Sequence, residues 1–115
     1  MNIEKVMRWF RGWRWISREE LQASLASRQE CWVIDVRSPE EFSGPLGHIQ
    51  GADNIPLPLL MRDIAQIRAR KPGLPVVLVC LTDKRSSAAA NLFSREGRKD
   101  VSVLRGGMKG WSTKR

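Results

Sequence analysis

The residues best equipped for chemistry are Cys80 and the six that follow it, Leu81-Thr82-Asp83-Lys84-Arg85-Ser86. The thiol ends an apolar, β-branched run that opens at Pro75 and reads Val76-Val77-Leu78-Val79. A run so short and apolar predicts a strand buried on both faces of a parallel sheet. The alanine-rich segment 86–96 predicts a helix that buries Ala89, Leu92 and Phe93 and is closed by Gly97. Cys80 therefore stands where a buried strand ends and a tight loop leads to a helix start. In open α/β sheets ligands bind beyond the carboxyl ends of the strands. The N–H groups of a helix start accept anions, and Lys84 and Arg85 add two full positive charges. Both effects favour thiolate over thiol, and the thiolate is the nucleophile. A cysteine that served only as a small core hydrophobe would need neither. The expectation is a reactive Cys80.

The elements that must position this loop can be read on either side of it. Ser17-Arg18-Glu19-Glu20 is a capping box, with Ile16 and Leu21 as its hydrophobic staple, opening a helix to about residue 27. Residues 32–36 predict the next strand, which ends at Arg37. A second capping box follows, with Ser38 as cap, Pro39 as first helical residue and Glu41 as reciprocal partner. Strand–helix alternation of this kind indicates an α/β fold. Residues 44–51 read as loop, and 52–55 as a short strand stopped by Pro56. Residues 59–70 carry Leu60, Ile64 and Ile67 on one helical face. Residues 101–104 form the last predicted strand, leading through Arg105-Gly106-Gly107 into a short turn that ends at Trp111.

A chain of 115 residues accommodates one domain with a modest core. Two cysteines, Cys31 and Cys80, make no disulfide framework, and one histidine excludes the usual His/Cys zinc patterns. A free thiol suits a reducing cytoplasm. The net charge is +8, but its Lys and Arg are scattered from Lys5 to Arg115. They read as solvated surface, and no nucleic-acid-binding motif accompanies them. Residues 1–15 place Ile3, Val6, Met7, Phe10 and Trp13 at helical spacing among Arg8, Arg11 and Arg14. The segment is too short and charged to span a bilayer. Gly12 interrupts its amphipathic pattern, so it is expected to cover the domain's own core before it docks a membrane surface or partner. Residues 1–14 are read as a basic, Trp-rich extension and 15–115 as the domain.

Four segments together resemble one known family. Asp35-Val36-Arg37-Ser38-Pro39-Glu40-Glu41-Phe42, the stretch from Gly47-His48-Ile49 to Asn54-Ile55-Pro56, Cys80 to Ser86, and Gly106-Gly107-Met108-Lys109-Gly110-Trp111 are similar to the motifs of single-domain rhodaneses. The match covers about residues 15–112, in order and at normal spacing. This resemblance implies a rhodanese-like α/β fold, a five-stranded mostly parallel sheet with helices on both faces. It also implies covalent sulfur transfer. Cys80 would attack the outer sulfur of an anionic donor such as thiosulfate, release sulfite and keep a persulfide. Cyanide or a thiol, or the thiol of an acceptor protein, would then take that sulfur. The loop from Leu81 and Thr82 to Ser86 would cradle the persulfide with backbone N–H groups. Arg85 would hold the loop or the anion, and Lys84 would attract the donor. Neither metal nor organic cofactor is implied.

One position departs from the family pattern. Asp83 stands where many members carry glycine, and its carboxylate opposes Lys84 and Arg85. Asp35 and Arg37 are expected to form an ion pair that supports the loops, and His48, Cys31 and Trp111 to be structural. A cysteine phosphatase or arsenate reductase would need five residues between Cys and Arg. Here Arg85 comes after four, and Ser86 takes the position that arginine would need. A persulfide relay, or a protein-interaction module of the same family, recruited through the N-terminal segment is the competing function.

Overall fold

The apolar run around which the chain is arranged forms the middle strand of the sheet. In the computed structural model, which describes residues 12–113, the order begins β1 (Arg14–Ile16), α1 (Arg18–Ala26), β2 (Trp32–Asp35), α2 (Pro39–Phe42) and β3 (Asp53–Asn54). It continues with α3 (Leu57–Ile67), β4 (Val76–Val79), α4 (Lys84–Arg95), β5 (Val101–Leu104) and α5 (Gly107–Thr113). The sheet runs β1-β5-β4-β2-β3, and every pair among the described residues is parallel. All strands therefore finish at one edge, where Cys80 follows β4.

Side-chain alternation divides the core into two layers. Trp32, Ile34 and Val36, then Val76, Leu78 and Cys80, then Val101 and Val103 face one side, against Leu60 and Ile67 of α3 and Ala89, Ala90 and Phe93 of α4. Val33, Val77, Val79 and Leu104 face the other, against Leu21 of α1, Ile49 and Met108 of α5. β4 is buried along its whole length, as its unbroken apolar sequence requires. Full burial of a side chain such as Leu78 or Phe93 contributes about 1.5–3 kcal/mol.

Both capping boxes form, Ser17 with Glu20 and Ser38 with Glu41. Three boundaries differ from the sequence reading. α3 starts at Leu57 with Pro58 in its first turn, is kinked at Asp63 and stops at Ile67. A proline is tolerated in a first turn, where its missing N–H has no partner to lose. The alanine-rich helix starts at Lys84, two residues before the expected Ser86, so Lys84 and Arg85 belong to its first turn. The segment after Gly106 is a seven-residue helix, where a short turn was expected. The helical spacing expected for the N-terminal segment lies, for residues 1–11, outside the described residues. Gly12 and Trp13 are in place: a Cβ on Gly12 would strike Ser94 of α4, and the Trp13 indole donates to Asn91 Oδ1 at 2.8 Å.

At the edge where the strands begin, Arg98 closes the chain after α3. Its Nη1 donates to the carbonyls of Arg68 and Arg70 at 2.7 and 2.6 Å. Its Nη2 donates to those of Lys71 and Leu74 at 2.7 and 3.0 Å. These include carbonyls that a helix end leaves without partners. Trp32 lies beneath, with Arg70, Lys71 and Arg98 within 5.2–5.8 Å of its ring centroid. Its indole N–H is held by Asp53 at 2.7 Å. Arg98→Ala should lower the unfolding free energy in urea by about 1–3 kcal/mol. Arg98→Lys should recover less than half of that loss, because one ammonium cannot reproduce the guanidinium fork. Full recovery by lysine would contradict the assignment.

Candidate active site

Cys80 is 1% exposed, at the end of β4. Its Sγ lies 3.2 Å from the Ser86 hydroxyl, and the Ser86 backbone N–H donates to it at 3.4 Å. Both contacts come from the first turn of α4, which folds back over the sulfur. The Ser86 hydroxyl and N–H are thus placed where they can donate to the sulfur.

The loop between Cys80 and α4 is fixed from outside by α5. Met108 N–H donates to the Cys80 carbonyl at 2.8 Å, and Lys109 N–H to the Leu81 carbonyl at 2.9 Å. In a trans peptide the N–H points opposite to the carbonyl, so the N–H groups of Leu81 and Thr82 are turned away from α5. Those of Leu81, Thr82 and Asp83 donate to no backbone carbonyl among the described residues. The approach is close enough to require glycine at 107. That residue has φ +54°, and a Cβ there would strike the carbonyl oxygens of Cys80, Leu81 and Thr82.

A buried ion pair stands beside this loop. Arg37 Nε donates to both Asp35 oxygens at 2.9 and 3.1 Å, and Nη2 donates to Oδ2 at 2.8 Å. Both side chains are 1% exposed. Nη2 also reaches the Gly47 carbonyl at 2.8 Å, and Asn54 Nδ2 donates to the carbonyls of Asp35 and Arg37 at 3.0 and 2.9 Å. The pair and Asn54 thus hold together the turn after β2, the loop at Gly47 and the end of β3. Removing one partner of such a pair strands the other charge, at about 3–5 kcal/mol.

Arg85 forks onto Glu41. Nη1 donates to Oε1 at 2.7 Å and Nη2 to Oε2 at 2.9 Å. Glu41 also accepts from the Ser38 N–H, as the capping box requires. One carboxylate therefore caps α2 and ties it to the start of α4. The Arg85 fork, helped by the Ser38 N–H and opposed by burial, pulls the Glu41 pKa down to about 2.

Of the residues singled out by sequence, Cys80, Ser86 and the loop from Leu81 to Asp83 come together, with Lys84 exposed in the first turn of α4. Asp35 and Arg37 are paired beside them. His48 stacks on Phe42 at 3.6 Å, and its Nδ1 donates to the Phe42 carbonyl at 2.9 Å. Cys31 packs on the second core layer, where burial raises its pKa. It precedes β2 at the opposite edge from Cys80; the intervening strand length, about 16 Å at 3.3 Å per residue, is beyond disulfide reach. Sequence reading assigned Glu41 only its cap. Its second role could have been sought in a carboxylate on the Cys80 edge facing a conspicuously basic loop.

The depressed Glu41 pKa has a sign that can be checked. Its ionised form is favoured by folding, so its contribution is present above about pH 4.5 and is lost as pH falls towards 2. Glu41→Gln should melt below the natural chain at neutral pH, with the gap in Tm closing between pH 5 and 2. A gap independent of pH would refute the pairing.

Comparison with known proteins places this geometry. The model of the rhodanese-like domain matches residues 17–114. The chain is 40% identical over 99 residues to the uncharacterized protein YqhL of Bacillus subtilis, covering 86% of this chain and 72% of that protein. It is 35% identical over 90 residues to the thiosulfate sulfurtransferase GlpE of Pseudomonas paraeruginosa, covering 78% and 77% respectively. A rhodanese-related protein of Thermoplasma volcanium superposes with a TM-score of 0.70 at 26% identity, covering 85% of this chain and 89% of that one. Sulfur transfer or sulfur relay is the activity class these likenesses support, and the chain belongs to the rhodanese-like domain family.

Proposed function

We propose that the protein takes sulfane sulfur from thiosulfate or a similar small anionic donor and passes it to cyanide or a thiol through a persulfide on Cys80. The observation that carries this reading is the Cys80 sulfur, set under the start of α4 with the Ser86 hydroxyl and N–H upon it. In the first half-reaction the Cys80 thiolate attacks the outer sulfur of thiosulfate. The S–S bond of the donor breaks, sulfite leaves with the bonding electrons, and the sulfur stays as Cys80 persulfide. In the second, the acceptor attacks that outer sulfur, and the Cys80 thiolate is released.

The remaining residues take supporting parts. The N–H groups of Leu81, Thr82 and Asp83 cradle the anionic persulfide, and Lys84 attracts the donor through solution. Arg85 is committed to Glu41, which favours fastening the loop over binding the anion. Asp35 and Arg37 hold the neighbouring turns. Asp83 counts against tight thiosulfate binding, because its carboxylate meets the incoming anion beside Lys84. No metal or organic cofactor enters this scheme. Free thiols at Cys31 and Cys80 suit a reducing cytoplasm. Among the described residues no helix is long and apolar enough to cross a membrane.

Steady-state kinetics test the scheme. Thiocyanate formation from thiosulfate and cyanide should give parallel double-reciprocal lines, the pattern of a ping-pong reaction. Cys80→Ser should abolish it. Intersecting lines, or residual turnover in Cys80→Ser, would exclude a covalent intermediate on this residue. Transfer to a protein thiol, with cyanide ineffective, would favour the relay.

A further inference from the structure

The helix start that holds the sulfur is built differently from the two that the capping boxes open. At Ser17 and Ser38 the cap residue is extended, with ψ 161° and 159°, and its side chain accepts the backbone N–H three residues on. That is the ordinary use of a polar cap. Asp83 caps α4 through its backbone, its carbonyl accepting from the Ser87 N–H at 2.9 Å. Its ψ is 0°, and its carboxylate makes no capping bond. The N–H three residues on belongs to Ser86, and Cys80 Sγ takes it instead at 3.4 Å. The sulfur has the place of the cap, and the carboxylate is left over.

Among the described residues nothing else engages that carboxylate, which forms neither hydrogen bond nor ion pair. Arg85 is committed to Glu41, and Lys84 extends into solvent. Asp83 is itself half-buried. A partly buried carboxylate without a partner costs desolvation and adds no stability. The free charges of the loop from Cys80 to Ser86 are therefore one carboxylate and one ammonium, which cancel.

Sulfur donors differ at this point. Thiosulfate is a dianion whose sulfonate is bonded to the sulfur under attack, so negative charge must enter the loop with that sulfur. An alkyl hydropersulfide, R–S–S–H, brings an uncharged sulfur pair carried on carbon. Leu81 of the same loop is 36% exposed, one of four large hydrophobic side chains so open among the described residues. Carbon gains from contact with it, and a sulfonate does not.

On the reading of Cys80 as sulfur carrier, we propose that Asp83 is a specificity-determining residue that selects alkyl hydropersulfides over thiosulfate as donor. The Cys80 thiolate attacks the outer, hydrogen-bearing sulfur. The S–S bond of the donor breaks, and R–S⁻ leaves with the bonding electrons and collects a proton from solution. The hydrogen stays on the sulfur now bonded to Cys80 until it is lost to solution. Asp83 acts by charge: it opposes the dianion and leaves the neutral donor alone.

The test is single-turnover loading of Cys80, read as the gain of one sulfur in intact mass, with Cys80→Ser as the blank. The donors are thiosulfate and 2-hydroxyethyl hydropersulfide. The natural chain should load faster from the hydropersulfide. Asp83→Asn, which keeps the shape and removes the charge, should shift the ratio of the two rate constants towards thiosulfate by about tenfold. Asp83→Glu, which restores the charge, should keep the natural preference. Faster loading of the natural chain from thiosulfate, or an unchanged ratio in a folded Asp83→Asn, would overturn the role of Asp83 while Cys80 remained the carrier. Loading of Cys80 by neither donor would overturn both readings.

Discussion

The structure depends on the seating of one helix start against one loop. When α5 donates Met108 and Lys109 N–H groups to the carbonyls of Cys80 and Leu81, it fixes the direction of the peptide planes just beyond β4. The N–H groups of those planes must then point the other way. A loop that would otherwise scatter its donors has the N–H groups of Leu81 and Thr82 turned away from α5, and among the described residues they donate to no backbone carbonyl. The condition is that residue 107 carry no side chain, since three carbonyl oxygens occupy the space a Cβ would need. The second fastening comes from the far side, where Glu41 holds Arg85 at the start of α4. One wall of the loop is thus set by the last helix and the other by the first acidic turn after β2. The sheet keeps the two in register.

The middle of the fold was legible because its signals are local. Val76 to Val79 could be read as a doubly buried strand, and both Ser-x-x-Glu boxes as helix starts, without any knowledge of what lies opposite. The misread boundaries are those where tertiary contacts overrode local preference. Lys84 and Arg85 look like loop cations, yet α4 takes both into its first turn and Glu41 claims Arg85. The residues after Gly106 look like a turn, yet their N–H groups find carbonyls on a distant segment and a helix follows. In the candidate site, Cys80 and the residues around it could be named from type and spacing. Glu41 could not be given its second role, because its partner stands 44 residues away.

Charge shows the same difference between order along the chain and order in space. Along the sequence Lys and Arg recur without a block, and a solvated surface is the natural reading. A parallel sheet brings every strand start to one edge and every strand end to the other. The cations of three separate connections and of the start of β1 meet at the first edge, while Cys80 and its loop lie at the second. The buried Asp35–Arg37 pair and the Glu41–Arg85 fork spend the charges of the Cys80 edge on holding loops. This leaves Lys84 as the exposed cation of the first turn of α4 to meet an anionic donor.

The central claim is that sulfur rests covalently on Cys80 between donor and acceptor, and intact mass measures that directly. After incubation with thiosulfate and removal of excess donor, the protein should gain about 32 Da. Cyanide should remove the gain, and Cys80→Ser should never show it. A gain retained in Cys80→Ser would move the chemistry to another residue, and no gain with thiosulfate or any other sulfane donor would contradict the account.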